Sequence, residues 1–299
     1  MYHNPVLLHE SVEGLGIRAD GVYVDVTYGG GGHSKAILKQ LQTGRLYAFD
    51  QDQDAASNIM DDKRLTFIPQ NFKYLKNFLL LHGEKQVDGI LADLGVSSFQ
   101  FDVAEKGFST RFDGKLDMRM DQNNPIDAST IVNTYSETEL KIIFEKYGEL
   151  PKSYRMASTI VEARSKKAIQ STFELKEVVK RFLPFGKENK ILAQLFQALR
   201  IEVNQEMQAL EAFLEQSIDM LKPGGRLVVI SYHSLEDRLV KNFIKSGNAS
   251  GQIEKDFFGN NLSPFNQVNR KAIVPDEKEI AINGRARSAK LRIAEKKAQ

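Results

Sequence analysis

The stretch best equipped for chemistry is Asp25-Val26-Thr27-Tyr28-Gly29-Gly30-Gly31-Gly32-His33-Ser34. Four consecutive glycines let a backbone approach a ligand closely and adopt positive φ. A helix starting there favours an anionic group at its N-terminus. Three ligand classes use such loops. A phosphate-binding P-loop ends in Gly-Lys-Ser/Thr, where this chain has Gly32-His33-Ser34. The dinucleotide fingerprint Gly-x-Gly-x-x-Gly also fails, meeting Ser34 if started at Gly29 and Lys35 if started at Gly30. S-adenosylmethionine is the class left, with Asp50 placed for ribose hydroxyls as the acidic residue of dinucleotide folds is. The alternative is a glycine turn with no ligand. Against it, Asp25, Asp50 and Asp93 each fall at the carboxyl end of an expected strand, where ligands of open α/β sheets bind.

Those ends belong to short, continuous apolar runs: Val22 to Val26, Arg45 to Asp50, Leu65 to Ile68, Val87 to Asp93 and Arg226 to Ser231. Continuity rather than alternation indicates parallel strands buried on both faces. Ser34 to Leu41 carries Ile37, Leu38 and Leu41 at helical spacing, with Ser34 as its expected cap, and Asp54 to Met60 reads as a short helix. The β-α alternation predicts a doubly wound α/β sheet. It stops near Glu105. Helical stripes follow at Thr138–Tyr147, Tyr154–Lys166, Phe173–Phe182 and Lys190–Leu210, with the capping box Ser136-x-x-Glu139 before the first. A helix from Glu202 ends at Lys222-Pro223-Gly224-Gly225, a stop that feeds the fifth strand. Leu235 to Ile244 is a helix, residues 246–266 a mobile loop, and Ser288 to Ala294 a last strand. The expected architecture is a Rossmann-like α/β sheet that binds S-adenosylmethionine, residues 1–104 and 206–299, with an inserted helical domain at 105–205.

Composition narrows the function. The chain has 299 residues, 41 Lys+Arg against 39 Asp+Glu, and no Cys. The near balance of charge excludes a uniformly basic protein that coats nucleic acid, while allowing local patches. Without Cys there is no disulfide framework, thiolate zinc site or thiol nucleophile. No window has the apolar length of a membrane span and the N-terminus lacks signal-peptide character, so a cytoplasmic protein is expected. The oligomeric state stays open, a homodimer included.

A series of motifs then carries a resemblance. In order, they are His3-x-Pro5-Val6-Leu7-Leu8-x-Glu10, Thr27 with Gly31-Gly32-His33-Ser34, and Asp93-Leu94-Gly95-Val96-Ser97-Ser98-x-Gln100. Next come Gly107-Phe108-Ser109, Leu116-Asp117-Met118-Arg119-Met120-Asp121 and Phe196-Gln197-Ala198-Leu199-Arg200-Ile201-x-Val203-Asn204. His233-Ser234-Leu235-Glu236-Asp237-Arg238 and Arg285-Ala286-Arg287-Ser288 complete the series. In these residues the chain resembles the RsmH (MraW) family of small-subunit ribosomal RNA methyltransferases. The resemblance implies methylation of the exocyclic N4 of one cytidine in the decoding centre of 16S rRNA, within the small ribosomal subunit. It implies that Gly31, Gly32 and His33 meet the methionyl part of S-adenosylmethionine, Asp50 the ribose, and Phe72 the adenine or ribose. Asp93 and Gln100 match further cofactor positions, and the helical insertion matches a second domain that helps hold RNA.

The absent Cys agrees with that atom, because methylation at cytosine C5 normally needs a thiolate adduct. An exocyclic amine needs only alignment with the methyl group and acceptors for its protons. Ser97, Ser98 or backbone carbonyls of their turn are candidate acceptors; the bland alternative is that the serines only cap the next helix. His233, at the end of the fifth strand, is the other catalytic candidate, either accepting a proton or bonding the base. Its bland alternative is also a cap. Asp117 and Asp121 flank Arg119 and read as an ion-paired loop, and the five His show no ligand spacing, so no metal is expected. Six basic residues against one acidic between Arg285 and Lys297, and the cluster Arg164, Lys166 and Lys167, are candidate phosphate contacts. Two other readings remain in play: a nicotinamide-type nucleotide enzyme, and a non-catalytic RNA-binding assembly factor.

Overall fold

The continuous apolar runs pair side by side. A computed structural model describes residues 5–298, the side chain of Ser98 excepted, so His3 lies outside the described residues. Five parallel strands, β1 (Val22–Asp25), β2 (Arg45–Phe49), β3 (Leu65–Ile68), β4 (Val87–Asp93) and β5 (Leu221–Ser231), are joined by β6 (Phe265–Gln267) and β7 (Lys290–Lys296). The order is β3-β2-β1-β4-β5-β7-β6, with β7 antiparallel to both of its neighbours. β5 starts earlier than the apolar run suggests. Leu221 already pairs with Val87, and Lys222 to Gly225 bulge out before Arg226 resumes the ladder opposite Gly89. The stop signal thus lies inside the strand as an irregularity.

The chain divides into two compact units, one made of the chain up to Gly95 and from Met207 onward, the other of Val96–Glu206. In the first, helices cover both faces of the sheet, as parallel strands require. One face carries α1 (Leu8–Leu15) and α2 (Gly32–Gln40), whose Leu15, Ile37 and Leu38 pack with Leu46, Leu91 and Ile230. The other carries α3 (Leu75–Leu81), so that Leu75 and Leu79 meet Phe49 and Ile90.

The second unit is built from helices: α4 (Ser98–Asp102), α5 (Ala128–Thr134), α6 (Glu137–Lys146), α7 (Ser153–Lys166), α8 (Thr172–Val179) and α9 (Glu188–Asn204). The Ser136–Glu139 capping box is present, each side chain satisfying the other's backbone N–H. The expected Lys190–Leu210 helix is broken in two. Gln205 adopts φ 49°, ending α9, and α10 (Glu206–Met220) starts afresh. Back in the first unit, Phe213 of α10 joins the core on the α3 face, as do Val240 and Phe243 of α11 (Ser234–Ser246). The short α12 (Glu277–Ile282) precedes a 3-10 turn over Gly284–Ser288 and then β7. Asp54 to Met60 forms a 3-10 helix, Gln53–Asn58, and the loop expected at 246–266 contains the start of β6.

Candidate active site

Three carboxylates end three adjacent parallel strands: Asp25 closes β1, Asp93 closes β4, and Asp50 follows β2. The glycine loop binds one of them. The Gly29 N–H donates to Asp50 Oδ2 at 2.8 Å, and the Asp52 N–H donates to Oδ1 at 2.8 Å. Gly31 then caps α2 at φ 74°, a left-handed conformation that favours glycine. A Cβ there would lie 2.8 Å from the Tyr28 hydroxyl oxygen. That hydroxyl donates to the Asn58 carbonyl at 2.7 Å, while the Asn58 side-chain amide donates to the Gly29 carbonyl at 3.2 Å. The loop is pinned from both sides.

Ser34 is not the helix cap expected from sequence, because α2 starts two residues earlier and Ser34 sits within its first turn. Its buried hydroxyl donates instead to Asp25 Oδ2 at 2.7 Å. His33, also buried, places Nε2 3.2 Å from the Val6 carbonyl and Nδ1 3.7 Å from Asp93 Oδ2. The ring thus spans from the Val6 carbonyl to the Asp93 carboxyl, which Nδ1 faces at ion-pair range. The other oxygen of Asp93 accepts from the Tyr232 hydroxyl at 2.7 Å, and its N–H donates to Thr27 Oγ1 at 2.7 Å.

Burial dominates the electrostatics. It pushes Asp93 up to about 6, against the opposing pull of His33 and the Tyr232 hydroxyl. It also pushes Asp50 up to about 6, against the two backbone N–H donors, and raises Asp25. Mutual repulsion adds to this, since Asp25 raises both of the others. Asp25 buried and Asp50 and Asp93 half-buried, with the imidazole of His33 among them, make an electronegative floor at this end of the sheet. It suits a ligand with positive charge and hydroxyl donors, and disfavours a pyrophosphate.

The other expected site residues are placed as follows. Phe72 lies on a 3-10 turn (Phe72–Tyr74), partly buried and edge-on to Phe213 at 5.5 Å between ring centroids. His233 caps α11: its Nδ1 accepts the Glu236 N–H at 3.3 Å. The cap therefore occupies the Nδ1 lone pair. Nε2 is buried, 3.2 Å from Glu236 Oε1. Ser97 and Gln100 belong to the second unit, where they form a capping box on α4. The Ser97 Oγ accepts the Gln100 N–H at 3.2 Å and Gln100 Oε1 accepts the Ser97 N–H at 3.0 Å. Asp117 and Arg119 form the expected ion pair, with two contacts of 2.8 Å. Sequence reasoning missed Tyr232 and Thr27, which bracket Asp93. The signal available was their position at strand ends beside residues already singled out.

Residues 1–297 match the model of the MraW methylase family. The chain belongs to that family. It is 62% identical over 296 residues to ribosomal RNA small subunit methyltransferase H of Flavobacterium johnsoniae, covering 99% of this chain and 98% of the relative. It is 59% identical over 297 residues to the protein of the same name from Bacteroides thetaiotaomicron, with 99% and 98% covered. Among solved structures it is similar to an rRNA methylase from Streptococcus thermophilus, with a TM-score of 0.45 and 12% identity over 97% of this chain and 96% of that one. As an MraW methylase this chain is a methyltransferase, and S-adenosylmethionine is its methyl donor. The pocket floor fits that donor, whose sulfonium and ammonium groups are cationic and whose ribose offers hydroxyls. The nicotinamide reading is set aside with it.

The basic run from Arg285 to Lys297 does not form one patch in this MraW methylase. Lys290 and Arg292 both hold Asp237, at 3.1 and 2.7 Å, and the ammonium of Lys296 donates to the Leu221 carbonyl at 2.8 Å. Arg285 and Arg287 are exposed on the 3-10 turn before β7. Lys290 pairs with Ser231, so this turn lies at the same carboxyl end of the sheet as the three aspartates. No helix among the described residues is long and apolar enough to cross a membrane.

Proposed function

We propose that this methyltransferase modifies the exocyclic N4 of a cytidine in the decoding centre of 16S rRNA, presented by the small ribosomal subunit in the cytoplasm. The observation that carries the substrate class is identity near 60% over almost the whole of both chains to relatives named as ribosomal RNA small subunit methyltransferases. The choice of N4 rests on the motif resemblance and on the absence of Cys, which removes the covalent route to C5.

S-adenosylmethionine supplies an electrophilic methyl group when bound. In this reading the backbone of Gly31 and Gly32, with His33, receives its methionyl part, Asp50 accepts from the ribose hydroxyls, and Phe72 packs beside the nucleoside. Asp93, held by Tyr232 and His33, completes the anionic floor. Gln100 enters from the family resemblance alone. Amine methylation needs the nitrogen in line with the methyl group and an acceptor for its proton, and alignment supplies most of the acceleration. Ser97 Oγ has a lone pair beyond the one its cap uses and is assigned to accept a hydrogen bond from the amine N–H and so orient it, the released proton passing to solvent. His233 is assigned a positioning role, because its capping box orders the turn after β5 that carries Tyr232. Arg285 and Arg287 contact phosphate near the target base, and the helical unit Val96–Glu206 contributes to RNA recognition.

The test is mass mapping of 16S rRNA from cells with and without the protein. Loss of one methyl group at a cytidine N4, restored by the wild-type chain and not by Asp50→Ala, supports the reading. An unchanged modification pattern refutes it. Restoration by Asp50→Ala would favour the non-catalytic assembly factor.

A further inference from the structure

The second unit presents a phenyl ring on a basic turn. Phe185 is fully exposed, at 100%. It does not hang from an unstructured stretch. The Lys187 N–H donates to the Pro184 carbonyl at 2.9 Å, closing a four-residue turn, with Gly186 in third place at φ 74°. Positive φ at that position is what a type II turn requires, and it sets the second residue, Phe185, at the apex. The preceding 3-10 turn, Lys180–Phe182, is anchored by Arg181, whose guanidinium lies over the Phe182 ring at 5.1 Å and also donates to the Thr159 hydroxyl. Charge around the apex is one-sided. The eleven residues from 180 to 190 carry Lys180, Arg181, Lys187 and Lys190 against Glu188, and of these Lys180 is paired with Glu177 at 3.1 Å. Lys187 and Lys190 are both exposed.

A rigid aromatic apex flanked by cations is the arrangement that holds unpaired nucleic acid, since every base has a π-face and every linkage a charge. The exposed aromatic pair Phe257 and Phe258 lacks this flank, because Lys255 sits between Glu254 and Asp256. We infer that the Pro184–Lys187 turn is an RNA contact of the helical unit, with Phe185 stacking on an unpaired base and Lys187 and Lys190 meeting the adjoining phosphates. The inference rests on the ribosomal RNA reading above and adds to it the place and chemistry of a contact outside the methyl-transfer site.

The test compares wild type, Phe185→Ala, Phe185→Trp and the pair Lys187→Gln/Lys190→Gln. The probes are small subunits, and protein-free 16S rRNA, from cells lacking this protein. Retention of RNA on filters is read beside methyl transfer. Phe185→Ala is expected to weaken RNA binding and raise KM for RNA roughly 5- to 100-fold, leaving kcat and affinity for S-adenosylmethionine unchanged, with Phe185→Trp near wild type. The lysine pair should flatten the dependence of log affinity on log salt by about 1.4, two single-strand phosphate contacts. Wild-type affinity in Phe185→Ala, with wild-type methyl transfer intact, overturns the inference and spares the functional reading. A loss seen with subunits and absent with protein-free rRNA overturns it in favour of a ribosomal-protein contact. Absence of methyl transfer by wild type would refute the functional reading, and the filter comparison would still decide the contact.

Discussion

The hydroxyl of Tyr232, one residue beyond β5, donates to Oδ1 of Asp93 at the end of β4 at 2.7 Å. The two strands are neighbours, so the bond ties together the ends of two strands that frame the pocket floor. Burial raises the tyrosine well above its ordinary range, and Asp93 adds to this, so the hydroxyl stays a donor throughout the working pH range.

Removing that donor moves a titration. The bond favours ionised Asp93, so Tyr232→Phe shifts its midpoint upward from about 6. If binding uses the carboxylate, affinity for S-adenosylmethionine falls as pH drops through that midpoint. The acid limb in Tyr232→Phe is then displaced toward neutral pH by about one unit. Calorimetric titrations from pH 5 to 8 measure it; coincident curves for the two proteins would mean that Asp93 is not the group that limits binding.

The same carboxyl affects stability in the cofactor-free protein. Its folded value, about 6, is above the ordinary 3.8, so the folded state holds the proton more tightly than the unfolded chain. Its contribution to stability therefore falls as pH rises between those values and remains lost above them. Asp93→Asn keeps the shape and can still accept from Tyr232. Thermal unfolding should find the variant more stable than wild type at pH 7.5, on the order of 1–3 kcal/mol, with the gap closing toward pH 4.

Gly31→Ala puts a side chain at φ 74° and a Cβ 2.8 Å from the Tyr28 hydroxyl oxygen. The expected cost is about 1–3 kcal/mol, or several degrees in melting temperature for a chain of this size. Weaker binding of S-adenosylmethionine should accompany it. A variant that melts and binds like wild type would show that the loop relaxes freely.

Ser97 has a structural duty and an assigned chemical one, and two substitutions separate them. Ser97→Ala loses the α4 cap, at about 1 kcal/mol, as well as the oxygen. Ser97→Asn retains a capping oxygen but presents it differently. Lower kcat in both variants, with KM little changed, supports the acceptor role; full kcat in Ser97→Asn reduces the serine to a cap.

Strands were readable in the sequence because burial on both faces leaves continuous apolar runs, as in Ile90-Leu91-Ala92, all fully buried. The aspartates at their ends followed from the same reading. What escaped depends on partners distant in sequence. β6 is three residues long and exists because Phe265 to Gln267 pair with Lys296 to Ala294, a register that a loop rich in Gly and Asn does not announce. The break at Gln205 lacks any glycine or proline to mark it. Lys290 and Arg292 look like a phosphate patch until the fold brings Asp237 between them. Ser34 looks like a cap until Asp25 is buried beside it. Tyr232 acquires its role only from a strand that lies 139 positions away.

The crowded carboxylates also bear on how the enzyme finishes a cycle. Before transfer, the sulfur in the donor is positively charged; afterwards it is neutral. If, as proposed, the carboxylates at the strand ends face the sulfonium, they hold the first more strongly than the second. Loss of that charge would then favour product departure. Neutralising one aspartate should narrow the ratio of the two affinities.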